Sequence, residues 1–322
     1  KVDTISENTS ANGVAVDGVT LKDGAVGAAG TATSVAGIPL FTADNSIYTH
    51  DVSGTDNTAS FNTAYGIGAL GAITDGDQSV AIGYGAGDAT TTGRVLAIGK
   101  DAAGANTTGG AIIAIGDTAY DAADTENYNI AIGTDALGGA VAGGEYNVAV
   151  GHFSLDALTS ADHCTAVGYQ AGSAITTGGN NTLIGYQAGD ALTDGSRNTA
   201  LGISALGSET SGVSNTAIGA SALVSSNGGN YNTAVGDQAG VLLTTGDNNQ
   251  FMGYHAGYGN TSGSSNIAIG YQAYDVADTE SNNLAIGNAA LGGAVAGGEY
   301  NVAVGHTSLD ALTSGDNNTA IG

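Results

Sequence analysis

Apolar and polar residues follow a short recurring pattern along most of the chain, a pentad that returns about every 17 residues. One clear copy is Asn215-Thr216-Ala217-Ile218-Gly219, and the last is Asn318-Thr319-Ala320-Ile321-Gly322. Positions two and four of this pentad are mostly Val, Ile, Leu or Thr, which favour strands, whereas the frequent glycines would destabilise helices. The pattern therefore predicts a short strand in every repeat, with a bend at the glycine.

Each pentad ends in a glycine, called the marker glycine below, and the chain has 16 of them. Of the 15 intervals between consecutive marker glycines, 12 are 17 residues long, as from Gly202 to Gly219. A period of this length matches one coil of a solenoid that holds two short strands and two turns. We therefore predict an all-β fold over residues 56–322, a parallel β-roll or β-solenoid of about 16 coils. The marker glycines are Gly66, Gly83, Gly99, Gly116, Gly133, Gly151, Gly168, Gly185, Gly202, Gly219, Gly236, Gly253, Gly270, Gly287, Gly305 and Gly322.

Residues 1–55 do not carry the repeat. Val14-Ala15-Val16 and Val19-Thr20-Leu21 are short β-prone runs separated by Asp17-Gly18, which is typical of a hairpin turn. Residues 25–35 are mostly Gly, Ala, Thr and Ser, and we expect them to form a linker or to wrap around partner chains. We interpret residues 1–55 as an N-terminal segment of short strands and linker that serves attachment or trimerisation.

Alternation along a strand places positions two and four of the pentad on one side and position three on the other. We expect positions two and four to form the apolar core inside each coil. Position three is Ala in 14 of 16 copies and would then face outward, which suggests close contact with a second chain. The alternative is that alanine merely fits a narrow coil. Candidate core residues are Ile82, Ile132, Ile184, Ile218, Ile269 and Ile286, and candidate interface residues are Ala200, Ala217, Ala234 and Ala268.

Two further positions are restricted. Position one is Asn in 12 of 16 copies, and its amide can bond to neighbouring backbone and to the asparagine of the next coil, which predicts a turn ladder. Three residues after the marker glycine, Ala occurs in 13 of 15 copies, and we assign this residue to the second strand of the coil. The asparagines of the predicted ladder are Asn181, Asn198, Asn215, Asn232, Asn249, Asn266 and Asn283.

Charge and cysteine content restrict the function. The chain has 30 acidic and five basic residues, a net charge of -25, so no basic patch can neutralise phosphates and we expect no nucleic-acid partner. The single cysteine, Cys164, excludes an intrachain disulfide. No run of 18 apolar residues occurs, so we expect no membrane insertion. We expect no cofactor; calcium in the aspartate-rich turns is the alternative, although the glycine-rich nonapeptide of calcium-binding rolls is absent.

Chemical sites are sparse in the sequence. We see no acidic pair that interrupts the repeat to form a catalytic cleft, so we expect no enzyme. Five tyrosines directly follow a marker glycine and suit either sugar stacking or a structural ladder. A carbohydrate-processing enzyme and an ice-binding threonine array remain as alternatives. We expect the array's threonines, at position two, to point inward. The tyrosines are Tyr84, Tyr169, Tyr186, Tyr254 and Tyr271, and the threonines are Thr165, Thr182, Thr199, Thr216 and Thr233.

The pentads Asn-Thr-Ala-Ile-Gly and Asn-Val-Ala-Val-Gly resemble the head repeat of the trimeric autotransporter adhesins, the YadA-like head, from about residue 60 to residue 322. That resemblance implies a left-handed parallel β-roll, three chains side by side, and a role in adhesion. The period of this chain is longer than is typical of that family.

The N-terminal run from Val2 to Gly24 is similar to segments of phage tail-fibre and related virion proteins. The two resemblances together imply an extracellular homotrimeric tail fibre or other appendage at the virion surface. Its partners would be copies of itself, a host-surface glycan or protein, and other virion proteins. The alternative is a bacterial trimeric autotransporter-type adhesin head at the cell surface.

Overall fold

The structure is a computed structural model that describes five short N-terminal strands and residues 58–293 and 297–322. All regular elements in these parts are β-strands. In chain order they are β1 (Val14–Val16), β2 (Val19–Leu21), β3 (Ser34–Val35), β4 (Ile38–Pro39), β5 (Ile47–Tyr48), β6 (Thr63–Tyr65), β7 (Val80–Ile82), β8 (Val95–Ile98), β9 (Ile112–Ile115), β10 (Ile130–Ile132), β11 (Val148–Val150), β12 (Thr165–Val167), β13 (Thr182–Ile184), β14 (Thr199–Leu201), β15 (Thr216–Ile218), β16 (Thr233–Val235), β17 (Gln250–Met252), β18 (Ile267–Ile269), β19 (Leu284–Ile286), β20 (Val302–Val304) and β21 (Thr319–Ile321).

Strands β5 to β21 form one parallel ladder in which each strand pairs with the next along the chain. The register keeps the pentads aligned, so that Ala217 lies between Ala200 and Ala234. The protein is therefore an all-β parallel β-solenoid of about 15 turns with a 17-residue period, which confirms the predicted fold class.

The N-terminal strands are separate from most of this ladder. β1 and β2 pair antiparallel with Val14 opposite Leu21, in the arrangement expected of a hairpin, and β3 pairs antiparallel with β4. β5 pairs parallel with β6, so the ladder begins before residue 56, the first residue that we assigned to the solenoid. The rest of the N-terminal segment, including most of the expected linker, lies outside the described residues.

The interior of each coil is lined by alanine, which corrects the expected orientation of the pentad. Position three points inward: all four alanines predicted at an interface between chains are 0% exposed within a single chain. The isoleucines predicted as core lie on the outside, where Ile82 is 41% exposed and Ile184 and Ile269 are each 37% exposed. The residues that face the inside are Ala200, Ala217, Ala234 and Ala268. The residues that lie on the outside are Ile82, Ile132, Ile184, Ile218, Ile269 and Ile286.

The reason is the small width of the coil. The wall opposite Ala217 carries Ala222 and Leu223, both 0% exposed, so the two walls approach closely and leave room for only a methyl group at position three. Bulky residues at positions two and four therefore have to lie on the outer side of the strand. The alternative considered from the sequence, that alanine fits a narrow coil, describes the structure.

The opposite wall is a series of turns and not the second strand that the sequence predicted. Ser221 and Leu223, which flank the inward-facing Ala222, have φ of 54° and 49°. Residues in this left-handed region cannot continue an extended strand. The described coils each contain one strand of two to four residues, and the wall opposite it is built from turns.

A ladder of asparagine side chains runs along the start of the strands. The Asn198 side-chain oxygen accepts a hydrogen bond from the backbone N–H of Asn215 at 2.9 Å, and Asn215 accepts in the same way from Asn232 at 2.9 Å. Asn215 also donates through Nδ2 to the Gly229 carbonyl at 2.7 Å. The structure thus satisfies buried turn groups from coil to coil. All seven asparagines of the predicted ladder take part: Asn181, Asn198, Asn215, Asn232, Asn249, Asn266 and Asn283.

The marker glycines are required by the spacing of the coils. Gly219 has a φ of +136°, and a Cβ atom added there would collide with the carbonyl oxygen of Gly236 in the next coil. Both the backbone conformation and the close approach exclude a side chain. A glycine is therefore needed once in every coil, because the backbones of successive coils approach each other too closely there for a side chain.

Candidate binding surfaces

The outward side chains of pentad positions two and four form a strip along the ladder, here called the strand face, which is mainly aliphatic at position four and mixes aliphatic residues with threonine at position two. Position four is Ile, Val, Leu or Met in every coil from β7 to β21, and several of these side chains are strongly exposed, such as Leu201 at 44% and Met252 at 50%. Strands β6 to β21 contain no charged residue. A largely aliphatic strip of this length on so acidic a chain is typical of an interaction surface.

The acidic residues lie in the turns, away from the strand face. Burial raises the pKa of the Asp156 carboxyl above its ordinary value of 3.8, and the charge of Asp135 raises it further. Burial also raises the pKa of Asp121, Asp190 and Asp275. Within residues 58–293 and 297–322, no three His, Cys, Asp or Glu side chains are grouped so as to hold a metal ion.

The position-two threonines also belong to the strand face, which corrects the expectation that they point inward. Thr182 is exposed, and Thr165, Thr199, Thr216 and Thr233 are partly exposed in the same orientation. In these five consecutive coils, the strand face therefore carries a threonine at position two beside an aliphatic residue at position four.

Tyrosines that follow a marker glycine form two stacked pairs. The ring centroids of Tyr169 and Tyr186 are 5.4 Å apart with planes at 14°, and those of Tyr254 and Tyr271 are 5.4 Å apart at 17°. Each pair stacks one ring on the ring of the next coil, which is the arrangement of a structural ladder. The fifth tyrosine, Tyr84, is 61% exposed.

The described histidines lie on the outside of the coils. His152 and His306 are exposed, and each directly follows a marker glycine. His163 stacks on Tyr146 with ring centroids 5.2 Å apart, and His255 stacks on Tyr254 at 3.9 Å. His50 lies outside the described residues. The histidine rings are therefore distributed along the outer surface of the solenoid.

Cys164 occupies the first position of its pentad and fills the place of an asparagine. Its N–H donates to the Asn147 side-chain oxygen at 2.9 Å, and its thiol donates to the Gly178 carbonyl at 3.4 Å. Burial raises the pKa of the thiol, which disfavours the nucleophilic thiolate at neutral pH. The residue therefore has the structural role that the sequence predicted for this position.

Buried glutamates are a feature that the sequence reading missed. Glu209 is 0% exposed, and its carboxylate accepts hydrogen bonds from the backbone N–H of Gly212 and of Gly228, each at 2.6 Å, and from the Ser226 hydroxyl at 2.7 Å. Glu126 likewise accepts from the Gly143 N–H at 2.9 Å. These carboxylates accept hydrogen bonds from turn backbone and so stabilise the turns.

A second missed feature is a threonine ladder on the turn edge. Eight residues after a marker glycine, a threonine hydroxyl often donates to the backbone carbonyl of the equivalent residue in the next coil. Thr176 donates to the Thr193 carbonyl at 3.1 Å, and Thr193 donates to the Thr210 carbonyl at 3.1 Å. The recurrence of Thr at this spacing is visible in the sequence and could have predicted the ladder.

Comparisons with protein-family models and with curated proteins find no match to the chain. Within the described residues, no helix is long and apolar enough to cross a membrane. The functional argument therefore depends on the solenoid and its surfaces.

Proposed function

We propose that the chain is the subunit of a homotrimeric fibre, in which the strand faces of three copies pack together. The observation that supports this proposal is the strand face itself, which is largely aliphatic, free of charge and continuous from β6 to β21. Only a surface with the same repeat and length can cover such a strip along its whole extent, and another copy of the chain provides one. The resemblance of the pentads to the YadA-like head supports three copies rather than two.

The charge distribution supports association through this face. A net charge of -25 per chain opposes contact between most surfaces of two copies. The strands from β6 to β21 contribute none of that charge, so strand faces can approach without direct like-charge contacts. The acidic turns then remain on the outside of the fibre.

The fibre acts as an extracellular appendage of a virion, most simply a tail fibre, that extends towards a host surface. The stacked coils supply stiffness, and the turns offer side chains that vary without disturbing the strands. The similarity of residues 2–24 to virion-protein segments favours this role over the head of a bacterial surface adhesin, which would have the same architecture.

Immunogold electron microscopy with an antibody against the chain distinguishes these two roles. Label on appendages of virus particles in a culture that produces the chain is the expected result. Label on the bacterial surface, with none on particles, would show the adhesin role instead.

The outward threonines favour one second candidate, ice binding. Thr165, Thr182, Thr199, Thr216 and Thr233 form a regular row on the strand face, repeated at about 4.8 Å. Packing of three strand faces would cover this row. A thermal hysteresis measurement decides the point: a gap between melting and freezing temperatures would favour ice binding over the fibre.

A further inference from the structure

The residue that directly precedes each pentad forms a column of outward side chains, here called the corner column. In three consecutive coils it holds a stack of rings: Tyr128 and Tyr146 lie 5.0 Å apart with planes at 9°, and Tyr146 and His163 lie 5.2 Å apart, also at 9°. The next coil before Tyr128 has Ala111 in this place. Ala111 and Tyr128 share a backbone conformation, with φ of 59° and 60°, so Ala111 occupies the equivalent place in its coil but adds no ring to the stack.

The small side chain of Ala111 leaves a gap between Tyr128 and Arg94. Tyr128, 54% exposed, uses one ring face on Tyr146 and turns the other face towards the level of Ala111. On the far side, the exposed Arg94 side chain reaches back to Gln78, with Nη1 3.4 Å from the Gln78 side-chain oxygen. Arg94 and Tyr128 lie two coils apart, about 9.6 Å at the usual spacing of paired strands, which is enough for one ring between them.

A groove of about 480 Å³ lies at this gap. Its walls include Asp75, Asp77 and Asn127, and hydrogen bonds from the same or neighbouring coils hold all three side chains in place. The Asp75 carboxylate accepts from the Thr58 hydroxyl at 2.7 Å, the Asp77 carboxylate accepts from a backbone N–H at 2.7 Å, and the Asn127 oxygen accepts from another at 2.8 Å. Such fixed polar groups reduce the entropic cost of binding a ligand.

The groove lies where the repeat is irregular. The interval between Gly83 and Gly99 is the shortest between consecutive marker glycines in the chain. Val95 and Ile112 replace the ladder asparagines, and β8 and β9, which begin at these residues, are each four residues long. A departure from an otherwise uniform pattern is typical of a functional site.

The chemistry of the groove fits a neutral sugar ring. The C–H face of a pyranose is apolar and packs on the free face of Tyr128, while its hydroxyls both donate and accept hydrogen bonds. Arg94 offers donors, Asp75 and Asp77 offer acceptors, and Asn127 offers both types of group. The two carboxylates and the net charge of the chain oppose an acidic sugar.

We propose that this groove binds a neutral pyranose of an oligosaccharide, which stacks on the free face of Tyr128 in the space beside Ala111. The inference deepens the proposed function, because it names a ligand class for a fibre that meets a host surface. The groove lies on the turn side of the corner column, whereas the strand face lies on its other side.

Binding of the full chain to a glycan array that carries neutral and acidic oligosaccharides tests the proposal, followed by calorimetric titration with the neutral glycan that gives the strongest signal. Ala111→Tyr should fill the gap and lower the affinity at least about tenfold, and Tyr128→Ala should do the same through loss of the platform. Ala111→Tyr is expected to fold, because Tyr128 and Tyr146 occupy the same position with the same φ.

Tyr231→Ala is the matched control, because Tyr231 stands in the corner column at φ 59° and is 60% exposed, seven coils from Ala111. Its affinity should stay within about twofold of the wild type. Binding of acidic glycans alone, no glycan binding, or unchanged affinity in Ala111→Tyr would overturn the inference. A chain that forms trimers but binds no sugar contradicts only this inference, whereas a monomer that binds sugar contradicts only the trimer.

Discussion

Neighbouring residues of one strand have opposite roles in this solenoid. Ala217 is fully buried between the two walls of its coil, whereas Ile218 lies half-buried on the strand face. Size decides the orientation, because the walls of this coil, where Leu223 lies opposite, are too close for a branched side chain at position three. Mutation of single residues can therefore distinguish the inner from the outer face of the strand.

Substitution of Ala217 by aspartate should unfold several coils, because a carboxylate without a partner would be placed in a dry interior. The matched control is Ile218→Asp, which puts the same charge on the outer side of the same strand. Circular dichroism at low temperature should show loss of strand signal for Ala217→Asp and its retention for Ile218→Asp. The reverse result would show that position four faces the interior.

Asp156 provides a test of the pH dependence. Because burial raises its folded-state pKa, its contribution to stability is present below its ordinary pKa and is lost as the pH rises through the folded-state pKa. Asp156→Asn should therefore raise the thermal midpoint at pH 7, and the difference from wild type should shrink towards pH 3.

The control is Asp194→Asn, since Asp194 is exposed and accepts a hydrogen bond only from the adjacent Thr193 hydroxyl. Asp194→Asn should leave the midpoint at pH 7 nearly unchanged. An Asp156→Asn gain that is as large at pH 3 as at pH 7 would show that the ionised form is not the cause.

At the scale of elements, a larger buried side chain on the strand is matched by a smaller residue in the opposite turn. Where position three is large, as at Leu183 and Phe251, the facing residues four after the marker glycines are themselves glycine. A Cβ atom at Gly189 would lie 2.8 Å from Leu183 Cδ2, and one at Gly240 would lie 2.7 Å from Phe251 Cδ2. Coils with Ala at position three can carry leucine there instead, as at Leu223.

This matching of sizes predicts strong coupling between Phe251 and Gly257. Gly257→Leu alone should destabilise through collision with the Phe251 ring, and Phe251→Ala alone should destabilise through a cavity, by about 3–5 kcal/mol. The double variant rebuilds the Ala and Leu combination of other coils. In a denaturant-unfolding cycle it should be more stable than the sum of the two single changes predicts, and additive losses would contradict the matching of sizes.

The spacing of the marker glycines was enough to predict the period, the parallel strands and the solenoid. Alternation along the strand could show that Ala217 and Ile218 face opposite ways, but it could not show which of them faces inward. The sequence did contain the deciding signal. The glycines Gly172 and Gly189 lie against Leu183, and Gly240 and Gly257 lie against Phe251. A large residue at position three therefore coincides with glycine in the opposite wall, as expected if position three faces inward. The left-handed residues of the turn wall, such as Ser221, carry no comparable signal, so a second strand was predicted there.

Part of the groove at Ala111 was visible in the sequence. The short interval from Gly83 to Gly99 and the loss of asparagine at Val95 and Ile112 mark the irregular coil. The stacking of Tyr128 on Tyr146 and the direction of Arg94 depend on side-chain geometry, which the repeat pattern does not determine.

At the scale of the whole molecule, the stack is a rod of about 70 Å, given about 15 turns at roughly 4.8 Å each. Each coil contacts only its neighbours, so its stability is approximately a sum of coil terms and contacts between coils. One side of the rod, the strand face, is largely aliphatic and uncovered in the single chain. The proposed trimer would account for that side, since it would remove the strand face from water along the full length of the rod.

The mass of the chain in solution tests this explanation most directly. Light scattering coupled to size-exclusion chromatography should give three times the 31.0 kDa of one chain, and Ile218→Asp with Met252→Asp should reduce the mass towards that of a single folded chain. A wild-type mass of 31.0 kDa at micromolar concentration would contradict the account.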